Sequence, residues 1–155
     1  MRFCYMELAE SDIRQTIKIR DMAEINQYRK ELRDKIIAYA MREFHQRGVK
    51  AVKMDEISRG LRVSKRTVYE IFGDKEELLL AGMKIERAEY KARVEEYALA
   101  HARNVMDVIG YIYRLQMERN QQVGVVFYEE IHRMPRILEF LKEEHDKEYD
   151  DSMRF

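Results

Sequence analysis

The chain has 155 residues, of which 46% are hydrophobic and 37% are charged, with one proline and six glycines. This composition is typical of one or two small helical domains and argues against a disordered chain. The single cysteine, Cys4, excludes an internal disulfide framework and fits a reducing compartment, so a cytoplasmic location is predicted. No apolar run has the length of a membrane span, and a membrane partner is therefore not predicted.

Basic and acidic residues are unevenly distributed, although the formal net charge is zero. Residues 29–72 contain 12 Lys or Arg and 6 Asp or Glu, whereas residues 120–155 contain 5 and 9. A basic N-terminal part joined to an acidic C-terminal part indicates that only the first binds a polyanion. Charge runs also occur on solvated helix faces that have no partner, so the asymmetry alone decides nothing.

Residues 1–28 show weak periodicity and are predicted to be an N-terminal arm or extension, either helical or loose. From Lys30 an apolar stripe at helical spacing predicts a helix that ends at Gly48, a suitable C-cap. Two short helices follow, with a turn at Val63 between them. Together these elements predict a three-helix domain over residues 29–73, whose core includes Ile37, Phe44, Met54, Ile57, Val68, Ile71 and Phe72.

A capping-box pattern at Asp74 and Glu77 predicts a long helix that runs to about Ala100. Gly82 within this helix indicates close packing, because glycine there costs about 1 kcal/mol relative to alanine. Further helices are predicted over 103–119, over 120–132 with an interruption near Gly124, and from Pro135 onwards. No segment has the alternation of a strand. The sequence therefore predicts an all-α protein in which residues 74–155 form a helical regulatory domain.

Residues 33–80 resemble the DNA-binding domain of TetR-type transcriptional regulators. The resemblance is carried by Phe44-His45-Gln46-Arg47-Gly48, by Met54-Asp55-Glu56-Ile57-Ser58, and by the run from Val63-Ser64-Lys65 through Lys75-Glu76-Glu77-Leu78. It implies a helix-turn-helix domain followed by a helical ligand-binding and dimerisation domain. A weaker likeness at Phe127–Pro135 corresponds to the family's junction between two helices.

The sequence departs from the family pattern at several positions. Lys53 stands where Ser or Thr often caps the second helix, Arg62 replaces a common glycine in the turn, and Arg66 replaces a common small residue. Family members usually continue beyond the equivalent of Phe155 with two helices that form the dimer interface. The resemblance therefore implies either that the chain is truncated at its C-terminus or that its dimer is built differently.

The resemblance also implies which residues bind double-stranded operator DNA. The short helix after Ser64 would enter the major groove, where an Arg or Lys can pair with guanine. The expected DNA-binding residues are Lys53, Ser64, Lys65, Arg66, Thr67, Tyr69 and Lys75. For each of them the alternative is a solvated or packed side chain without a DNA role.

The regulatory domain is expected, by the same resemblance, to bind a small hydrophobic effector that releases a homodimeric repressor from its operator. Aromatic and methionine side chains suit such a pocket. The candidates are Tyr90, Tyr97, Met106, Ile109, Tyr113, Met117, Phe127 and Tyr128, although ordinary core packing is the more common role of such residues. A protein that uses the same DNA-binding domain for an architectural or interaction role, without any effector, is the alternative function.

Neither an enzyme nor a cofactor is predicted. Glu129 and His132 form a single Glu-x-x-His pair, but the second pair that a di-iron bundle needs is missing, so no metal site is predicted. The other histidines have no companions at ligand spacing. No phosphate-binding glycine loop and no nucleophile–base motif is present.

Overall fold

The computed structural model describes the backbone of residues 2–152 and the side chains of residues 20, 22 and 24–147. Within these residues the secondary structure is helical throughout, which confirms the predicted all-α class. The helices are α1 (Arg2–Arg47), α2 (Met54–Gly60), α3 (Lys65–Ile71), α4 (Lys75–Ala100), α5 (Val105–Gln122), α6 (Val125–Ile131) and α7 (Pro135–Ser152). The chain divides into two compact units, residues 1–35 and 36–155.

The first unit consists of the N-terminal part of α1. Its described side chains are almost all exposed, and pairs four residues apart connect Arg20 with Glu24 and Gln27 with Glu31. Such pairs stabilise a solvated helix surface modestly. The predicted limits of the arm, residues 1–28, remain a prediction, and most of its side chains, Cys4 included, lie outside those described.

The second unit begins at Ile36, within the predicted three-helix domain of residues 29–73. Within it α2 contacts α3, and a set of apolar side chains from α1, α2, α3 and the segments that follow α1 and α3 is fully buried. They include Ile36, Ala40, Phe44, Val49, Val52, Ile57, Val68 and Phe72. Ile71 is only half-buried. Burying this many apolar side chains fixes the orientation of the short helices α2 and α3, which are too short to be stable alone.

Among the remaining helices, α5 and α7 contact α4. The buried side chains of residues 105–147 are Leu115, Val123, Phe127, Ile131, Ile137 and Phe140. The interruption predicted near Gly124 is present, because α5 ends at Gln122 and Gly124 precedes α6. No helix among the described residues is both long enough and apolar enough to cross a membrane.

Local signals in the sequence explain where the helices end. Gly48 follows α1 with a φ of +83°, and its N–H donates to Phe44 O at 2.9 Å, as expected for a glycine C-cap. Asp74 caps α4 by accepting from Glu77 N at 2.7 Å, and Glu77 in turn accepts from Gly73 N at 2.9 Å. Gly82 lies directly against Met41, so a Cβ at this position would collide with it. These features confirm the predicted cap, capping box and close packing.

Arg62 lies in the turn between α2 and α3 with a φ of 56°, in the left-handed region that disfavours side chains. The strain is about 1–2 kcal/mol for a residue with a Cβ. Glycine would avoid this strain, but its greater conformational entropy in the unfolded state offsets part of the gain. We therefore expect Arg62→Gly to raise the free energy of unfolding in urea by about 0.5–1 kcal/mol. Arg62→Ala, which keeps the Cβ, should bring no gain. If Arg62→Ala raised the free energy of unfolding equally, the arginine side chain, and not the backbone conformation, would be the cause.

Candidate nucleic-acid interface

The turn between α2 and α3 is held by backbone hydrogen bonds. Leu61 N donates to Ile57 O at 3.1 Å, and Val63 N donates to Ser58 O at 3.0 Å. Ser64 then caps α3, because its Oγ accepts from Thr67 N at 3.0 Å and lies 2.7 Å from Thr67 Oγ1. The predicted capping role of Ser64 is therefore confirmed, and the hydroxyl of Thr67 is engaged in the same cap.

The outer surface of α3 carries the residues expected to bind DNA. Lys65, Arg66 and Tyr69 are exposed, whereas Val68 of the same helix is fully buried and anchors it to the core. The Lys65 ammonium lies 5.8 Å from the centre of the Tyr69 ring. A short helix fixed on one side, with cations and a tyrosine on the other, is the form that enters a major groove.

Both cations of α3 are paired with carboxylates of the same domain. Lys65 Nζ lies 2.8 Å from Asp55 Oδ1, and Arg66 Nε lies 2.7 Å from Glu70 Oε1. Hydrogen bonds to these carboxylates raise the pKa of Lys65 and of Arg66, so both side chains stay charged at neutral pH. Exposed ion pairs of this kind contribute little to stability. Phosphates or bases can therefore replace Asp55 and Glu70 as partners of these cations.

A groove of about 400 Å³ lies beside α3, and it brings three of the predicted residues together. It is lined by Lys53, Met54, Asp55, Tyr69, Asp74 and Lys75. Lys53 precedes α2 and makes no side-chain cap, as its departure from Ser or Thr predicts. The Asp74 carboxylate in this groove lies 3.3 Å from Arg136, which offsets its charge. Two lysines and a tyrosine around a shallow groove suit a DNA phosphate.

Lys75 has a structural role that the neighbouring residues in the sequence do not indicate. Its ammonium donates to Val49 O at 2.6 Å and to Val52 O at 2.9 Å, which ties the start of α4 to the loop between α1 and α2. Partial burial lowers the pKa of this lysine. An ammonium has three N–H donors, so one donor remains for a phosphate. The phosphate contact of Lys75 stays a prediction. The two carbonyls lie in the loop between the Phe44–Gly48 and Met54–Ser58 motifs, and a backbone carbonyl leaves no signal in the sequence.

Among the described residues, the eight candidate effector residues have different surroundings. Phe127 is fully buried, and Tyr97 stacks on Tyr111 with ring centres 4.0 Å apart. Tyr128 is half-buried beside Phe127, with ring centres 5.9 Å apart. The four candidates on α5 are exposed by 39–70%, and they are Met106, Ile109, Tyr113 and Met117. Tyr90 lines a cavity among α1, α4 and α5, which has a volume of about 280 Å³.

This cavity, here called the α4–α5 cavity, is lined mainly by charged side chains that the sequence did not single out. Glu86 lies 3.3 Å from both His45 Nε2 and Arg119, and Arg93 lies 3.7 Å from Glu118. These residues come from three helices and are far apart in the chain, so no spacing pattern could have grouped them. The remaining lining residues are Glu89, Tyr90, Leu115, Gln122 and Val123.

Three contacts join the last helices to the DNA-binding helices. Gly124 N donates to His45 O at 2.8 Å, and Lys50 N donates to Glu130 Oε2 at 2.8 Å. Arg136 pairs with Asp74 at 3.3 Å. The residue pairs are 62 to 80 positions apart in the chain. A shift of α6 or α7 would therefore strain or break contacts with the loops on either side of α2 and α3.

A short helix, a tight turn and a capped second helix with exposed cations define a helix-turn-helix DNA-binding domain. Residues 36–81 match the family model described as "Bacterial regulatory proteins, tetR family". The match confirms the predicted DNA-binding domain: residues 36–81 form a DNA-binding domain of the TetR type, as expected of a DNA-binding transcriptional regulator. Proteins of this family are regulators, not enzymes. The comparisons found no matching curated protein and no matching solved structure.

Proposed function

We propose that this protein is a repressor that binds a two-fold symmetric operator as a homodimer in the cytoplasm and is released by a small-molecule effector. The observation that carries the proposal is the exposed, Ser64-capped helix α3 with Lys65 and Arg66 in its first turn. Such a helix presents its N-terminal side chains to base edges in the major groove. A dimer repeats this contact at a second half-site.

Different residues of the interface have different tasks in this proposal. Arg66 is 88% exposed and reads a base, because a guanidinium can form two hydrogen bonds with guanine. Lys65 and Thr67 flank this contact at the start of α3. Lys53, Tyr69 and Lys75, which share one groove, bind backbone phosphates and so fix the register of the helix on the duplex.

The α4–α5 cavity is the proposed effector site. Its lining of paired charges favours a small polar or charged ligand over the hydrophobic effector that the aromatic candidates suggest. Glu86 connects His45, on the helix that leads into the DNA-binding domain, with Arg119 on α5. A ligand that pairs with Glu86 or Arg119 in one arrangement of these helices would favour that arrangement. Its effect would reach α3 through α1 and through the junction at 73–75.

An effector-independent DNA-binding protein with an architectural or interaction role is the second candidate. It is favoured by the solid packing around Phe127 and by the open, charged nature of the α4–α5 cavity. The two functions share the DNA interface and differ only in whether a ligand alters operator affinity.

Selection of bound sites from random duplex DNA tests the proposal. We expect an enriched sequence with two-fold symmetry and half-sites about 34 Å apart or a multiple of this distance. The affinity should also fall steeply with salt, since phosphate contacts release counterions. An affinity no greater than that of a charge-matched helical protein would contradict DNA recognition. If small polar and charged metabolites all left the affinity of the selected site unchanged, the effector-independent function would hold instead.

A further inference from the structure

One peptide group in the loop between α1 and α2 is held by two side chains of opposite charge. It joins Val49 to Lys50. Its carbonyl oxygen accepts from the Lys75 ammonium at 2.6 Å, and its N–H donates to Glu130 Oε2 at 2.8 Å. A trans peptide directs these two atoms to opposite sides, so the loop lies between the ammonium of α4 and the carboxylate of α6. The Lys75 ammonium, this peptide group and the Glu130 carboxylate are called the loop clamp.

The two hydrogen bonds of the loop clamp support each other. An ammonium at the carbonyl oxygen and a carboxylate at the N–H polarise the peptide in the same direction, so each bond strengthens the other. Gly48 provides the space for the carboxylate, because a Cβ on this glycine would lie only 3.1 Å from Glu130 Oε2. Val49 and Val52 of the loop are fully buried, which restricts the movement of its backbone. The position of the loop therefore depends on Glu130 as well as on Lys75.

The loop clamp continues into the groove beside α3. Lys75 also donates to Val52 O at 2.9 Å, and Lys53, the next residue, lines this groove together with Lys75 and Tyr69. Burial lowers the pKa of Lys75, and the Glu130 carboxylate counteracts this lowering, which helps the lysine to keep its charge. The clamp therefore fixes both lysines that the proposed function assigns to DNA phosphates.

We propose that Glu130 is a positioning residue for DNA binding, which acts on Lys75 and Lys53 through the peptide between Val49 and Lys50. The inference rests on the proposed function, which assigns the groove beside α3 to a phosphate. Glu130 is half-buried on α6 and lies 80 positions from Lys50 in the chain. A carboxylate near DNA repels the polyanion by its charge alone. In this arrangement it raises the affinity instead, because it holds two cations in the place where a phosphate binds.

Two conservative variants of the full chain separate the reach of Glu130 from its charge. Glu130→Asp keeps the charge but is one methylene shorter, so the bond to Lys50 N is lost and the affinity for the selected DNA site should fall roughly tenfold. Glu130→Gln keeps the length and an acceptor oxygen, and its affinity should stay within about threefold of the original. Fluorescence anisotropy with labelled DNA measures both. Glu129→Asp, the same change at the exposed neighbouring position, is the matched control and should change nothing.

The salt dependence of binding shows whether the affinity is lost at a phosphate. In Glu130→Asp the slope of log affinity against log salt concentration should become shallower by about one for each half-site, as expected when one phosphate contact is lost. The preferred DNA sequence should stay the same, because no base contact is altered. If Glu130 only stabilised the fold, Glu130→Asp would leave this slope unchanged.

Other results would overturn the role of Glu130 and leave the proposed function standing. One is an affinity of Glu130→Asp equal to that of the unaltered chain, and another is a lower affinity with an unchanged salt slope. A higher affinity of Glu130→Gln, without any loss in Glu130→Asp, would show that Glu130 acts only as a negative charge near DNA. If the unaltered chain selected no DNA site at all, the proposed function itself would fail, and this inference with it.

Discussion

Replacing Arg66 with alanine is expected to change which operator sequence the protein prefers. The Arg66 side chain is 88% exposed at the start of α3, and its Nε donates to the Glu70 carboxylate at 2.7 Å. Loss of a two-bond contact with guanine should reduce discrimination at one base pair of each half-site by roughly tenfold to a hundredfold. Binding to other sequences should weaken much less. Competition binding with operator variants at fixed salt measures both effects.

Two further variants serve as controls for Arg66. Glu70→Ala removes the carboxylate but keeps the arginine, so the preferred base should stay the same while affinity rises. Tyr69→Phe removes only a hydroxyl at the groove beside α3, where a phosphate is proposed to bind, and should weaken binding to all sequences alike. If Arg66→Ala also weakened all sequences by one common factor, Arg66 would be a phosphate contact and another residue would read the base.

Replacing Phe127 with alanine is expected to have the largest effect on stability. Its side chain is fully buried, and its ring meets the His45 ring edge-on with centres 4.7 Å apart. Truncation of a buried phenylalanine costs about 3–5 kcal/mol, from lost burial and from the cavity left behind. Phe127→Leu should cost less than about 1.5 kcal/mol, because leucine fills much of the same space. Urea unfolding followed by circular dichroism measures both.

The neighbouring Val126 gives a matched control for Phe127. Val126 is 51% exposed on the same helix, and Val126→Ala should change the free energy of unfolding by no more than about 0.5 kcal/mol. Equal costs for Val126→Ala and Phe127→Ala would show that Phe127 does not anchor the core. Phe127 would then have to be reconsidered as a residue that lines an effector pocket.

Local features of this fold could be predicted from the sequence. The caps at Ser64 and Asp74, the glycine end of α1 and the close approach at Gly82 all depend on residues within one or two turns of each other. The caps are favoured by the intrinsic chemistry of a few side chains, so a short window contains the necessary information. The order of motifs from Phe44 to Leu78 then identified the DNA-binding domain.

Contacts between distant segments could not be predicted. Periodicity shows that Met106, Ile109, Tyr113 and Met117 share a face, but α5 also has an apolar face at Val108, Ile112 and Leu115. Which of the two faces is buried depends on α4, not on α5 itself. The charged α4–α5 cavity could not be predicted for the same reason, since Glu86 and Arg119 become neighbours only when two helices pack. The carbonyl partners of Lys75 depend likewise on the path of a loop.

The hydrogen bonds from Lys50 N to Glu130 and from Gly124 N to His45 O bear on how this regulator can be recombined with others. The family match ends at residue 81, which invites grafting the matched segment onto another sensor module. In such a chimaera the amide of Lys50 would lose its acceptor, the Glu130 carboxylate, and the carbonyl of His45 would lose its donor, Gly124 N. Each unsatisfied polar group that becomes buried costs about 1–3 kcal/mol. A graft that carries residues 124–130 along with the DNA-binding segment would keep both hydrogen bonds.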